Sequence, residues 1–288
     1  MDLSIIITNY NTRELLSSCL TSLYRTLEHV DFSFEIIVVD NASVDRSAEM
    51  IQKTYPKVLI IKNKTNLGFG KANNQGIRKS TGAYILLLNS DTEARGDAIQ
   101  KLLLFSRRHP SSFVGPKLLN IDGSDQTSCG PFFSLPVVFA VLFLKGDVLG
   151  ITRWSPRVTK KVDWVSGACL IAPRKLFFDD LFFDESIFMY MDEIDLLYRA
   201  KKKGYAVYFY PESRVVHVGS GSSINRRKGP ILSIYRGFMQ FYQKFYPASC
   251  VRVLRRMLQC KAFIGIILGI CTGNKELKNT YEEAFKLV

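Results

Sequence analysis

None of the six cysteines stands in a CxxC pair, and none of their separations matches a metal finger. That excludes zinc-ribbon and thioredoxin-type readings and leaves scattered thiols that suit a reducing cytoplasm. No segment reaches the roughly 20 apolar residues of a spanning helix. Residues 132–144, interrupted by Pro136, and 262–271, with two glycines, come partway. The opening MDLSIIITNYN has the wrong flanks for a signal peptide, so the expectation is a cytoplasmic protein, peripheral at the inner face of the cell membrane. Two nucleotide fingerprints are missing as well. There is no GxxxxGK[ST], which excludes a P-loop NTPase. The Gly68-Phe69-Gly70-Lys71-Ala72-Asn73 stretch follows the third apolar run and ends in Asn, so it is not the glycine turn of a dinucleotide oxidoreductase. Acids are scarce late in the chain: between Arg199 and Lys261 stand 14 Lys/Arg against Glu212 alone.

What is present is a large apolar store and a strong positive charge. Of 288 residues 47% are hydrophobic and 12% aromatic, enough to bury a large core, and the net charge of +13 asks for an anionic partner. Apolar runs at 3–8, 34–39, 58–62 and 84–88 alternate with helical patterns at 13–27 and 48–54 and with a further helix after Gly70. That order predicts an α/β fold with parallel strands and right-handed crossovers. The run at 84–88 is unbroken and stops abruptly at Asn89-Ser90-Asp91, as a strand buried on both faces does. Three strands thus end in polar clusters near Thr8, Asp40 and Asp91. In a parallel sheet these ends share one edge, where open α/β sheets bind ligands. For Asn89-Ser90-Asp91 alone, a turn and helix cap is the more ordinary role.

Four motifs in order, SIIITNYN, VVDNASVD, NLGFGKANNQG and LLLNSD, resemble the N-terminal half of family-2 glycosyltransferases of the GT-A fold, closest to the bacterial branch with rhamnosyltransferases of surface-polysaccharide assembly. The resemblance implies a nucleotide-binding half at 1–118, an acceptor half at 119–225, and a basic lid and amphipathic helical tail at 226–288. It implies that Thr8, Tyr10, Asn11, Asp40, Asn66, Gly68, Asn73, Asn89 and Ser90 form the nucleotide side, and that Asp91 with His217 holds Mg²⁺ or Mn²⁺. KVDWVSGACLIAP then lines the sugar and acceptor pocket with the small Ser166, Gly167 and Ala168. Asp192-Glu193, in FDESIFMYMDEIDLLYR, reverses the family's Glu-Asp order, so either carboxylate is the candidate base. Many relatives carry Arg where this chain has Asn73, which shifts phosphate neutralisation to Lys71 or to Arg226, Arg227 and Lys228 of a lid.

Two patterns stand beside the resemblance. Ile187, Met191 and Ile194 are spaced as one helical face, with Asp192, Glu193 and Asp195 toward its rim and Asp195–Arg199 in the favourable i,i+4 order. Beyond Ile231, Ile234, Phe238, Phe241, Phe245, Val251, Leu254 and Leu258 repeat at helical spacing between cations, which reads as a membrane-surface stripe ahead of ordinary core packing. No nucleic-acid module is present. The expected activity is inverting, metal-dependent sugar transfer from a nucleotide-diphosphate donor (dTDP-rhamnose or a UDP-sugar) to a lipid-linked or cell-surface glycan acceptor. A nucleotidyltransferase, or a homologue that binds nucleotide-sugar without turnover, is the alternative.

Overall fold

A computed structural model describes residues 1–219 and 228–288. In chain order the elements are β1 (Leu3–Asn9), α1 (Arg13–Thr26), β2 (Phe34–Asp40), α2 (Ser47–Thr54), β3 (Leu59–Lys62), α3 (Phe69–Lys79), β4 (Tyr84–Asn89), β5 (Thr92–Ala94), α4 (Ala98–Arg108) and β6 (Ser112–Leu119). They continue with β7 (Asp125–Gln126), β8 (Cys129–Gly130), α5 (Leu135–Phe143), β9 (Lys160–Lys161), β10 (Trp164–Val165), β11 (Cys169–Pro173) and α6 (Arg174–Phe178). The last are α7 (Asp192–Lys202), β12 (Ala206–His217), α8 (Lys228–Phe245), α9 (Ala248–Cys271) and α10 (Lys275–Lys286).

The main sheet runs β3-β2-β1-β4-β11-β6-β12-β5. Its first four strands are parallel, joined by helical crossovers, and β11 then enters antiparallel to both β4 and β6. β4 lies at the centre. Ile85 and Leu87 face one core, Leu86 and Leu88 the other, and all four are buried. An unbroken apolar run is what a strand covered on both faces requires, each such side chain adding about 1.5–3 kcal/mol on burial. Helices α1, α2 and α4 cover one face; α3, α5 and α7–α10 share the core on the other.

Beyond β11 the sheet depends on distant pairings. β12 runs parallel to β6, but its register breaks: Tyr210 faces Pro116, whereas the next residue of β6, Lys117, faces Arg214. Pro116 and Pro211 have no N–H to give a ladder, which fits a bulge at this place. After the bulge, Val215, Val216 and His217 pair antiparallel with Ala94, Glu93 and Thr92 of β5.

Two helical expectations need correction. Ile187 and Met191 do not lie on a helix with Ile194. α7 starts only at Asp192, because Tyr190 and Met191 both take left-handed backbone, with φ of 66° and 67°. The acids therefore occupy its first turn, where the helix dipole favours them, and Asp195 is fully buried rather than at a rim. Its pair with Arg199 forms as spaced, at 2.7 Å, and Lys244 of α8 adds a second cation at 2.7 Å. The stripe of α8 and α9 also turns inward: Phe238, Phe241, Leu254 and Leu258 are buried in the core shared with α5 and α7. Helical periodicity records that a face is covered, not whether protein or lipid covers it. No helix among the described residues is long and apolar enough to cross a membrane.

Candidate active site

The carboxyl ends of β1, β2 and β4 meet as the strand order requires, and side chains tie them together. Asn9 donates to Asp40 at 2.8 Å and to Ser43 at 3.0 Å, and it accepts from the Thr12 hydroxyl at 2.7 Å. Thr12 and Ser90 share a hydrogen bond of 2.8 Å. Above this edge opens a cavity of about 520 Å³, the size of a small-ligand site. Thr8, Tyr10, Asn66, Gly68, Asn89, Ser90, Asp91, Asp192, Glu193 and His217 all line it, as do Ser166, Gly167 and Ala168.

Four expected residues stand elsewhere, and three lie wholly or partly outside the described residues. Asp40 is buried below the cavity, holding Asn9 and the Ser43 N–H. Asn11 is exposed and accepts from the Val44 N–H, organising the turn after β1. Asn73 bonds back to the Phe69 carbonyl within α3. Lys71 pairs with Glu185 at 3.9 Å. Arg226 and Arg227 lie outside the described residues, and of Lys228 only the backbone is described.

On the sheet wall, His217 reaches Asp91 through the β12–β5 pairing, and the Val218 N–H donates to the Asp91 carbonyl at 2.9 Å. The imidazole Nε2 stands 3.4 Å from Asp91 Oδ1. Gln126 fixes the ring. Its amide nitrogen donates to the His217 carbonyl at 3.1 Å and to Asn120 at 3.0 Å, so its oxygen, 2.7 Å from Nδ1, is the acceptor. Nδ1 then carries the proton in the neutral ring, and the bare Nε2 faces a carboxylate oxygen. Asn89 Oδ1 is buried on the same wall with no hydrogen-bond partner. Asp91, His217 and Asn89 thus bring oxygen and imidazole donors to one place, a donor set for Mg²⁺ or Mn²⁺. Among the described residues no group of three or more His, Cys, Asp or Glu could hold a metal unaided. Such an ion here would take its other ligands from phosphate oxygens and water, as Mg²⁺ commonly does.

Asp192 and Glu193, at the start of α7, line another wall of the same cavity. The glycine stretch explains their approach. Gly68, at φ +86°, packs so closely on segment 183–191 that a Cβ would lie 2.3 Å from the Phe188 carbonyl oxygen; at Gly70 it would lie 2.9 Å from Phe183 and 3.2 Å from Asp192. These glycines let the acid-bearing segment close over the start of α3. Burial pushes the Asp192 carboxyl well above the ordinary carboxylate range, the charge of Glu193 adds to the rise, and the N–H groups of Asp192 and Gly70 oppose it. Burial raises Glu193 too, against its own N–H, the Arg153 charge and the Gly167 N–H. Arg153, over the Trp164 ring at 5.2 Å, lines the cavity with its Nε buried and unbonded.

Gln126 and Arg153 were not singled out from sequence. Neither carries a signal there: one sits in a two-residue strand, the other in an irregular segment whose nearness to Glu193 is purely tertiary. The cysteines offer no nucleophile at this cavity. Burial pushes the Cys19 and Cys129 thiols up to about 12 and Cys169 higher still.

Residues 4–128 match the profile described as Glycosyl transferase family 2. The chain is 27% identical over 255 residues to the "Low-salt glycan biosynthesis hexosyltransferase Agl10" of Haloferax volcanii, covering 87% of this chain and 76% of the relative. It is 27% identical over 237 residues to the "N-acetylglucosaminyl-diphospho-decaprenol L-rhamnosyltransferase" of Mycobacterium tuberculosis, covering 75% of each. The fold is similar to that of S. aureus TarS (residues 1–349) in complex with UDP, with a TM-score of 0.55 at 13% identity, covering 99% of this chain and 90% of that one.

Proposed function

We propose that this chain, supported as a glycosyltransferase of family 2 by its N-terminal match and its relatives, moves a sugar, with inversion, from a nucleotide-diphosphate donor to a lipid-linked glycan acceptor at the inner face of the cell membrane. The observation that carries this reading is one cavity with Asp91 and His217 on one wall and Asp192 and Glu193 on the other. The lipid-linked acceptor and the rhamnose or hexose follow the relatives' names; a uridine-diphosphate donor follows the UDP complex of TarS, and a deoxythymidine-diphosphate donor follows the resemblance of the N-terminal motifs to rhamnosyltransferases.

Transfer needs a stabilised leaving group, an activated hydroxyl and their alignment. Thr8, Tyr10, Asn66 and Gly68 hold the nucleotide along the sheet edge. Asp91, His217 and Asn89 would hold Mg²⁺ or Mn²⁺, which supplies Lewis-acid stabilisation of the departing diphosphate. On the other wall, the ionised member of the Asp192–Glu193 pair accepts the acceptor hydroxyl's proton. The acceptor oxygen bonds to the anomeric carbon while the carbon–diphosphate bond breaks on the far side, and the electron pair leaves with the diphosphate. Because burial raises both carboxyls, the ionised member is a stronger base than an exposed carboxylate. Arg153 holds an anionic group of the substrate at that wall.

Donor hydrolysis without acceptor, with and without Mn²⁺, tests the reading in wild type and in Asp91→Ala. Mn²⁺-dependent turnover lost in the variant is the expected result. Absent or metal-independent turnover in wild type would overturn it.

A further inference from the structure

Half of the large apolar side chains left exposed among the described residues, 11 of 22, fall in two windows, residues 139–151 and 253–270. Single exposed apolar residues are normal; such clustering is not. The first window is the tip of a closed excursion from the cavity wall. Trp154 and Cys129 exchange backbone bonds of 2.9 and 3.2 Å at its base, and Arg153 in the cavity is the residue immediately before that clasp. Its tip exposes Phe139, Leu144, Val148 and Leu149, the last two 77% and 66% exposed. The second window is the outer face of α9, which packs against α5. Leu254, Leu258 and Ala262 face inward, while Phe263, Ile267 and Ile270 point away.

Charge is sorted along the same helix. Arg252, Arg255 and Arg256 are exposed in the first half of α9, and the ten residues 262–271 carry no charge. Across 131–157 and 248–275 the one acid is Asp147. Ten helical residues span about 15 Å, half of a ~30 Å hydrocarbon core, so this end can enter one leaflet and cannot cross. A second copy of the chain would set arginines against arginines, whereas anionic head groups complement them.

We infer that the tip of residues 139–151 and the outer face of α9 dock together into the interfacial layer of an anionic bilayer, setting the Arg153 wall of the cavity against the membrane. This surface is separate from the α8 stripe, which the core already covers. Its role in delivering a lipid-linked acceptor rests on the proposed function; the binding itself does not.

The test is flotation with phosphatidylcholine vesicles, with and without phosphatidylglycerol. Wild type should bind the anionic vesicles, and salt should remove only the phosphatidylglycerol-dependent part. Combining Val148→Ser, Leu149→Ser, Phe263→Ser and Ile267→Ser should weaken partitioning at least ~100-fold, since a fully buried side chain contributes roughly tenfold. Mn²⁺-dependent donor hydrolysis should stay unchanged, which checks folding and separates failure here from failure of the transferase reading. Arg252→Glu with Arg255→Glu should abolish the preference for phosphatidylglycerol. Wild type that ignores vesicles, a quadruple variant that binds as wild type does, or light scattering that shows a dimer split by the serine changes would overturn the inference.

Discussion

The two walls of the cavity hold carboxylates in opposite surroundings. Asp91 faces an imidazole whose other nitrogen is held by Gln126, beside an unbonded amide oxygen. Asp192 faces a second carboxylate across a dry contact with the start of α3. One wall sets a carboxylate beside an imidazole, the other buries a carboxyl next to a second one. Two groups of the same chemistry thus meet different surroundings, the condition under which paired carboxylates divide acid and base work.

Removing the cation side should show the largest effect. Asp91→Ala should lower metal-dependent kcat/KM by about 1,000-fold, and calorimetry should lose Mn²⁺-dependent binding of the nucleoside diphosphate. On the proton side, either Asp192→Asn or Glu193→Gln should cost about 10²–10⁴-fold in kcat, which identifies the base. The wild-type acid limb should lie above the ordinary carboxylate range, because both carboxyls are raised and activity is lost as pH falls through them. Stability runs the other way. A raised carboxyl favours the folded state while protonated and costs stability once pH exceeds its unfolded value. Asp192→Asn should therefore raise the melting temperature by a few degrees at neutral pH, with the gain vanishing in acid.

Smaller changes sharpen the contrast. Gln126→Leu should release the imidazole tautomer and weaken Mn²⁺ affinity by about 10–100-fold, with the fold intact by circular dichroism. Arg153→Ala should raise a substrate KM about tenfold with little change in kcat, as loss of one charge-assisted contact does.

The sheet wall was largely legible from residues 1–91, because its strands connect to neighbours through local crossovers and each polar cluster directly follows an apolar run. β4 kept both its burial and its terminal Asp91. The second wall was legible only as chemistry. Asp192 and Glu193 stood out as acids among apolar residues, yet the left-handed Tyr190 and Met191 that end the periodicity left no pattern to read. Gln126 and Arg153 owe their places to β7–β6 and Cys129–Trp154 pairings, which composition does not encode. The α8 stripe was visible as amphipathic, but its partner, the α5 and α7 side of the core, was not.

The irregularity in β12 makes the site sensitive to counting. Between Tyr210 and Arg214 the strand holds three residues that β6 does not match, and Ser213 anchors them through a buried hydroxyl on the Ala98 carbonyl at 2.9 Å. Side chains alternate faces along a strand, so a chain shortened by one residue at this place should present its imidazole to the opposite side. Such a deletion mutant would retain every reactive group and still fail to bind Mn²⁺. Chain length at this place thus positions the imidazole as much as the register of β5 does.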